Sequence, residues 1–150
     1  MSAFEKSDGT DEDSFFWQVV DGRLPEPAAA TTLGLRLTRI DVATATVEAC
    51  FDGNAAFANP MGHVQGGFLS AMLDDTMGLA LAATLRAGEF APTINLNVSF
   101  HRPARIGELR GIGRVLRRGR DICFLSGELY QGEGLVASAT ATAIVRRAGD

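Results

Sequence analysis

The sequence predicts an α+β domain in which a curved antiparallel sheet wraps around one long buried helix. Three observations predict it. Residues 66–86 form a helical stretch that is apolar nearly all round, and a helix without a polar face has to be covered. Six other segments alternate apolar and polar side chains with period two, the mark of half-buried strands. The last three of them are joined by short glycine-containing turns, as in antiparallel hairpins. A sheet wrapped over the helix is the simplest cover. The 150 residues suit one domain with a real core. Hydrophobic residues at 46% against 21% charged place the chain with globular rather than disordered sequences.

The elements follow in order. Residues 1–13 are polar and acidic and are expected to form a flexible N-terminus ahead of a single domain over 14–150. Asp13 or Ser14 can cap a short helix over 15–20, which Gly22 ends. Pro25-Glu26-Pro27 forces an extended linker. Leu33, Leu35 and Leu37 alternate in a first strand, and Ala43 to Phe51 alternate in a second. Residues 52–65 read as a loop, and the long helix over 66–86 is closed by Gly88. Four strands complete the chain, over 93–100, 108–116, 121–130 and 135–146. There is no internal repeat.

Charge and composition exclude several function classes. The net charge of −4 argues against a polyanion binder, so no nucleic-acid partner is expected. Seven of the 14 basic residues are arginines between Arg102 and Arg120, a local patch that suits a small phosphorylated ligand. Cys50 and Cys123 sit in apolar alternating runs and read as small buried hydrophobes, with neither zinc spacing nor a disulfide framework. The first residues carry no signal-peptide pattern. The longest apolar stretch, 68–85, is broken by two aspartates, so no membrane partner is expected and the cytoplasm is the expected compartment.

Those aspartates are where chemistry enters. A desolvated carboxylate is costly unless paired, hydrogen-bonded or protonated. Asp74 and Asp75 are adjacent, so on a helix they point about 100° apart. One of them is expected at a solvent-filled cleft and the other in a pair or cap, although both can also be structural. Ahead of the helix runs Asn59-Pro60-Met61-Gly62-His63-Val64-Gln65-Gly66-Gly67. Paired glycines at a helix start allow close approach to free backbone N–H groups, which suit a carbonyl oxygen gaining negative charge. Thr93 opens the next strand and can hold a water near Asp74; taken alone it reads more readily as an ordinary strand residue. A carboxylate, a dipolar helix start, an amide and a hydroxyl make an acyl-transfer site without a serine or cysteine nucleophile.

At this point the chain resembles the hotdog-fold acyl-CoA thioesterases of the phenylacetic-acid-pathway (PaaI-like) type. That family carries an Asn, a His-Gly-Gly and an Asp at fixed spacing. Here Asn59 lies eight residues before Gly67, and Asp74 seven after it. Phe100 with Arg102-Pro103-Ala104 and Gly107-Glu108, and then Gly119-Arg120, resemble further family passages, and the likeness covers roughly residues 30–146. The resemblance implies hydrolysis of acyl-CoA thioesters. Asp74 would be the general base or nucleophile and Gly66 the backbone N–H donor to the thioester carbonyl. Asn59 would orient that carbonyl or the water, and Thr93 would position water. Gly67 would border the substrate, and Asp75 would support the helix or an interface beside it. Gln65 stands where the family has its His, a departure; its amide can still hold the loop, and His63, two residues earlier, reads as a loop residue near the substrate. Arg102, Arg118 and Arg120, together with Arg105 and Arg117, are candidates for the coenzyme A phosphates, or else charged strand edges. The resemblance also implies a homodimer or homotetramer with active sites at the subunit interface. No cofactor or metal is expected, coenzyme A being part of the substrate. The competing readings are a non-catalytic acyl-CoA sensor and, ranked lower, a hotdog hydratase or dehydratase, which needs a His–acid pair that neither His63 nor His101 supplies by motif.

Overall fold

The computed structural model describes residues 4–150. The chain begins with two short helices, α1 (Phe15–Val20) and α2 (Ala28–Thr32), followed by strands β1 (Arg36–Asp41) and β2 (Thr46–Gly53). A single 3-10 turn over Ala55–Phe57 leads to the long helix α3 (Gly66–Ala82). The remaining strands are β3 (Glu89–Phe90), β4 (Thr93–Phe100), β5 (Gly107–Arg118), β6 (Ile122–Gln131), β7 (Gly134–Ile144) and β8 (Arg146–Arg147).

Six strands form one antiparallel sheet in the order β1-β2-β5-β6-β7-β4, and β3 pairs with β8 in a small ribbon. This is the sheet-around-helix architecture that the alternation and the apolar helix predict, with both late hairpins, β5–β6 and β6–β7, antiparallel. One face of α3 is fully covered: Leu69, Met72, Leu73, Thr76, Met77, Ala80 and Leu81 are buried, at helical three- and four-residue spacing. The sheet meets it with small residues. A Cβ added to Gly111 would press on Thr76 Oγ1, and one on Gly113 would land on the Thr76 carbonyl. The absence of side chains there lets the helix lie directly on β5. The opposite face, including Phe68, Ala71, Asp74, Asp75, Gly78 and Leu79, is only half-buried. The sequence is apolar on both faces, and the sheet covers one.

The N-terminal segment lies against this half-open face. Trp17 is fully buried and donates its indole N–H to the Ala83 carbonyl at 3.2 Å. Phe16 packs edge-on against it, ring centroids 5.2 Å apart. Of the acidic N-terminus expected to be flexible, residues 1–3 lie outside the described residues. Within the rest, Lys6 pairs with Asp21 at 2.8 Å, and the Asp11 carboxylate accepts the Ala87 N–H at 2.8 Å.

The structure corrects several boundaries. The residues after Pro27 form helix α2 rather than continuing as extended chain, with Leu33 as its C-cap. Gly34 follows at φ +63°, in the left-handed region that favours glycine, so β1 starts only at Arg36. Residues 43–45 turn instead of entering β2: the Asp41 carboxylate accepts the Thr44 N–H at 3.1 Å, and Ala45 has φ 48°. Helix α3 ends at Ala82 rather than at 86, because Thr84 N–H bonds back three residues to Leu81 and Trp17 occupies the Ala83 carbonyl. Cys123 is buried as expected, but Cys50 is only half-buried, on the outward side of β2. No helix among the described residues is long and apolar enough to cross a membrane.

Candidate active site

Asp74 sits in the middle of α3 on its half-buried face. Its Oδ1 accepts a hydrogen bond from Thr93 Oγ1 at 2.8 Å, across from the first residue of β4. The strand that follows the helix therefore fixes the carboxylate from outside, and the carboxylate's second oxygen remains for another proton. Both aspartates line one cavity of about 540 Å³, together with Thr93. The expectation of one acid at a cleft and the other in a pair or cap is thus corrected: both line the cavity, and the one with the hydrogen bond is Asp74. The cavity is wide enough to admit two side chains 100° apart.

Asp75 differs from its neighbour. Its Oδ2 is buried without a hydrogen-bond partner among the described residues. Burial, and then the charge of Asp74, push its carboxyl up to about 6.

The oxyanion candidates lie elsewhere. Gln65 is the N-cap of α3, with its own N–H donated to the Phe57 carbonyl at 2.8 Å. Its side chain is exposed and makes no capping bond. The Gly66 and Gly67 N–H groups, at a helix start where no intrahelical acceptor exists, have no partner among the described residues. A Cβ on Gly67 would meet nothing within 4 Å, so the space before it is open. A Cβ on Gly66 would stand 3.0 Å from the edge of the Phe100 ring, a residue matched to a family passage in the sequence but given no role in the site there. Asn59 spends its side-chain carbonyl on the loop, accepting from Met61 N–H at 2.9 Å and His63 N–H at 3.1 Å. Its NH₂ group stays available. Asn59, His63, Gly66, Phe100 and Arg102 border a second cavity of about 580 Å³.

The structure therefore places the site residues in two groups. Gly66 and Asp74 are eight residues apart on one helix, a rise of about 12 Å, and they open onto different cavities. Of the arginines, Arg102 borders the Gly66 cavity. Arg118 lies at the far end of α3, 3.4 Å from Thr84 Oγ1 and 3.8 Å from Glu89. Arg120 is exposed in the β5–β6 turn, and Arg105 bridges backbone to His63. Neither cavity of one chain includes Arg118 or Arg120.

Comparison with known proteins gives a consistent answer. A family model described as the thioesterase superfamily matches residues 61–138, just over half of the chain. A solved structure from Ralstonia eutropha, provisionally described as a thioesterase and as phenylacetic acid degradation-related, is 46% identical. It covers 87% of this chain and 98% of its own, with a TM-score of 0.85. A Pseudomonas aeruginosa protein provisionally described as an esterase is 36% identical over 83 residues, 55% of this chain. The match spans 62% of that relative's length. The Escherichia coli PaaI protein of the phenylacetic acid degradation operon shares the fold, with a TM-score of 0.75, 21% identity and coverage of 89% of this chain and 94% of its own.

Proposed function

The chain belongs to the thioesterase superfamily, and on that premise we propose that it hydrolyses acyl-CoA thioesters to the free acid and coenzyme A. The single observation that carries this reading is the hydrogen bond from Thr93 to Asp74 in the lining of a largely apolar cavity. It holds one carboxylate oxygen and presents the other to a water or to the thioester carbon.

Asp74 acts in one of two ways. As a general base it takes a proton from water while the water oxygen bonds to the carbonyl carbon. As a nucleophile it forms a mixed anhydride that water then opens. Either way the C–S bond breaks, the electron pair leaves on sulfur, and coenzyme A departs as a thiolate that takes up a proton. The negative charge building on the carbonyl oxygen needs preorganised donors. The unpaired N–H groups of Gly66 and Gly67, at the positive end of a 17-residue helix, supply them, with the Asn59 NH₂ beside them and Arg102 at the same cavity for a coenzyme A phosphate.

About 12 Å of helix separates the donors from the carboxylate within one chain. The reading therefore includes a cytoplasmic homodimer or homotetramer in which Gly66 of one subunit faces Asp74 of another. The half-open face of α3 supports this.

The test is release of free thiol from a panel of aliphatic and aromatic acyl-CoAs by the wild type and by Asp74→Asn. The wild type should turn over at least one member, and the variant should lose about a thousandfold. Equal turnover by both would remove Asp74 from the mechanism. Binding without turnover would instead make the protein an acyl-CoA sensor.

A further inference from the structure

The cavity at Asp74 is more than the approach to a carboxylate. It runs along α3 on a stripe of residues one turn apart, Asp74, Gly78 and Ala82, with Leu79 beside them. Its far wall belongs to the N-terminal segment: Phe16 and Val20 of α1, Ala30 of α2, and Leu37 of β1 all line it. Trp17 anchors that wall to the end of α3 through Ala83. The partly open space is about 540 Å³, within the range of a small-ligand site.

Two features say what fits inside. The first is length. From Asp74 to Ala82 the helix rises about 12 Å; the terminal methyl's own radius takes about 2 Å of it, and the roughly 10 Å left is the span of an extended chain of about eight carbons at roughly 1.3 Å per C–C bond of 1.5 Å. The second is charge. Glu26, Asp74 and Asp75 line the cavity, and the cation there, Arg36, is held by Glu108 at 2.5 Å. An acyl tail ending in its own carboxylate would meet three acids and no unengaged cation among the described residues, and burying it unpaired is costly.

We infer that this cavity receives the acyl group of the substrate, and that Gly78 and the N-terminal wall select a neutral, apolar acyl group of up to about eight carbons. The inference rests on the thioesterase reading for the thioester itself. The specificity device is Gly78. It sits within a regular helix, and a Cβ placed there meets nothing within 4 Å, because it would project into the cavity. Glycine inside a helix lowers stability relative to alanine, and the empty space explains its presence: any side chain at 78 shortens the cavity from its floor. Val20, on the opposite wall, sets the height.

Binding tests this without requiring turnover. The probes are the non-hydrolysable thioethers S-ethyl-, S-butyl-, S-octyl- and S-(3-carboxypropyl)-coenzyme A. The readout is fluorescence of Trp17, the only tryptophan, which adjoins the wall. Removing a methylene from water is worth up to about fourfold in affinity. The wild type should therefore bind S-octyl at least tenfold tighter than S-ethyl, and S-butyl at least tenfold tighter than the carboxypropyl probe. Gly78→Leu should erase the octyl-over-ethyl preference, with circular dichroism checking its fold. Val20→Ala, which opens the cavity rather than filling it, should extend the gain to a decyl thioether. In thiol-release assays the octanoyl-to-butanoyl ratio of kcat/KM should fall at least tenfold in Gly78→Leu. Equal affinity for S-ethyl and S-octyl in the wild type, or an octyl preference that Gly78→Leu leaves intact, overturns the inference. Chain-length-dependent binding altered by Gly78→Leu but with no turnover of any thioester would uphold the cavity and overturn the hydrolase instead.

Discussion

The two cavities along α3 are built in opposite ways. At Gly66 the helix begins, and the polar groups at the cavity are donors: an unpaired backbone N–H, the Asn59 NH₂ and Arg102, beside the edge of Phe100. At Asp74 the backbone is sealed inside the helix, and what faces the cavity is side chain: two carboxylates, a hydroxyl and an apolar wall. One end of the helix offers positive dipole to a developing oxyanion, and its middle offers negative charge to a water or an acyl carbon. A thioester needs both within a few ångströms. On the proposed reading, the start and the middle of one straight helix lie about 12 Å apart, and the second group would come from another subunit.

The sharpest way to break the comparison is to disable each cavity in a separate chain. Gly66→Pro removes the N–H itself at the first helical position, where proline is tolerated, and should lower thiol release by about a hundredfold, the usual cost of losing one oxyanion donor. Asp74→Asn disables the other cavity. Co-refolding the two variants in equal amounts should restore about a quarter of wild-type activity if two-fold symmetry pairs unlike cavities, since half the dimers are mixed and one of their two sites is intact. No recovery means that each chain works alone.

A smaller effect separates the two acids. Thr93→Val removes the bond to Asp74 Oδ1 and should cost about tenfold in kcat, with little change in the binding of S-alkyl thioethers. A loss confined to KM would show that Thr93 contacts substrate instead.

The smallest effect concerns stability. Asp75 holds its proton up to about 6 when folded, against 3.8 ordinarily. The folded protein binds the extra proton between those values, so this group's contribution grows as pH falls through 6 and is absent above it. Asp75→Asn should therefore stabilise the protein by roughly 1–2 kcal/mol at pH 8, allowing for partial exposure, and hardly at all at pH 4. Urea midpoints at the two pH values measure it. A variant that is less stable at both would mean that the carboxylate is paired in the assembly.

Much of this was legible in the residues. The helix start at Gly66, strand 93–100 and the late hairpins follow from glycine placement and strict alternation. The Asp74–Thr93 partnership, 19 residues apart, was accessible because a strand returning along a helix passes its middle. Other features were hidden. Leu33 and Leu35 alternate like strand residues, but Leu33 is spent capping α2. Nothing in a linear pattern says that Gly66 and Asp74 face different cavities, because that depends on helix rise and on what covers each side. The arginines were least legible. Their long side chains on exposed turns go where local partners take them, as Arg118 goes to Glu89.

The close seat of α3 on β5 has one more consequence. Gly111 and Gly113 bring β5 against the hydroxyl and the carbonyl of Thr76, so a side chain at either position would push the helix off the sheet. The outer wall of the acyl cavity is a separate stretch of chain pinned at a few points, chiefly Trp17. The molecule thus divides into a part that cannot drift under mutation and a part that can. A saturation library should find Gly111 and Gly113 intolerant of every replacement, while positions such as Val20 and Leu37 accept many, each one a different enzyme in its appetite for chain length. On the proposed reading, the seat would hold the site in place and the wall would set which acyl groups enter it.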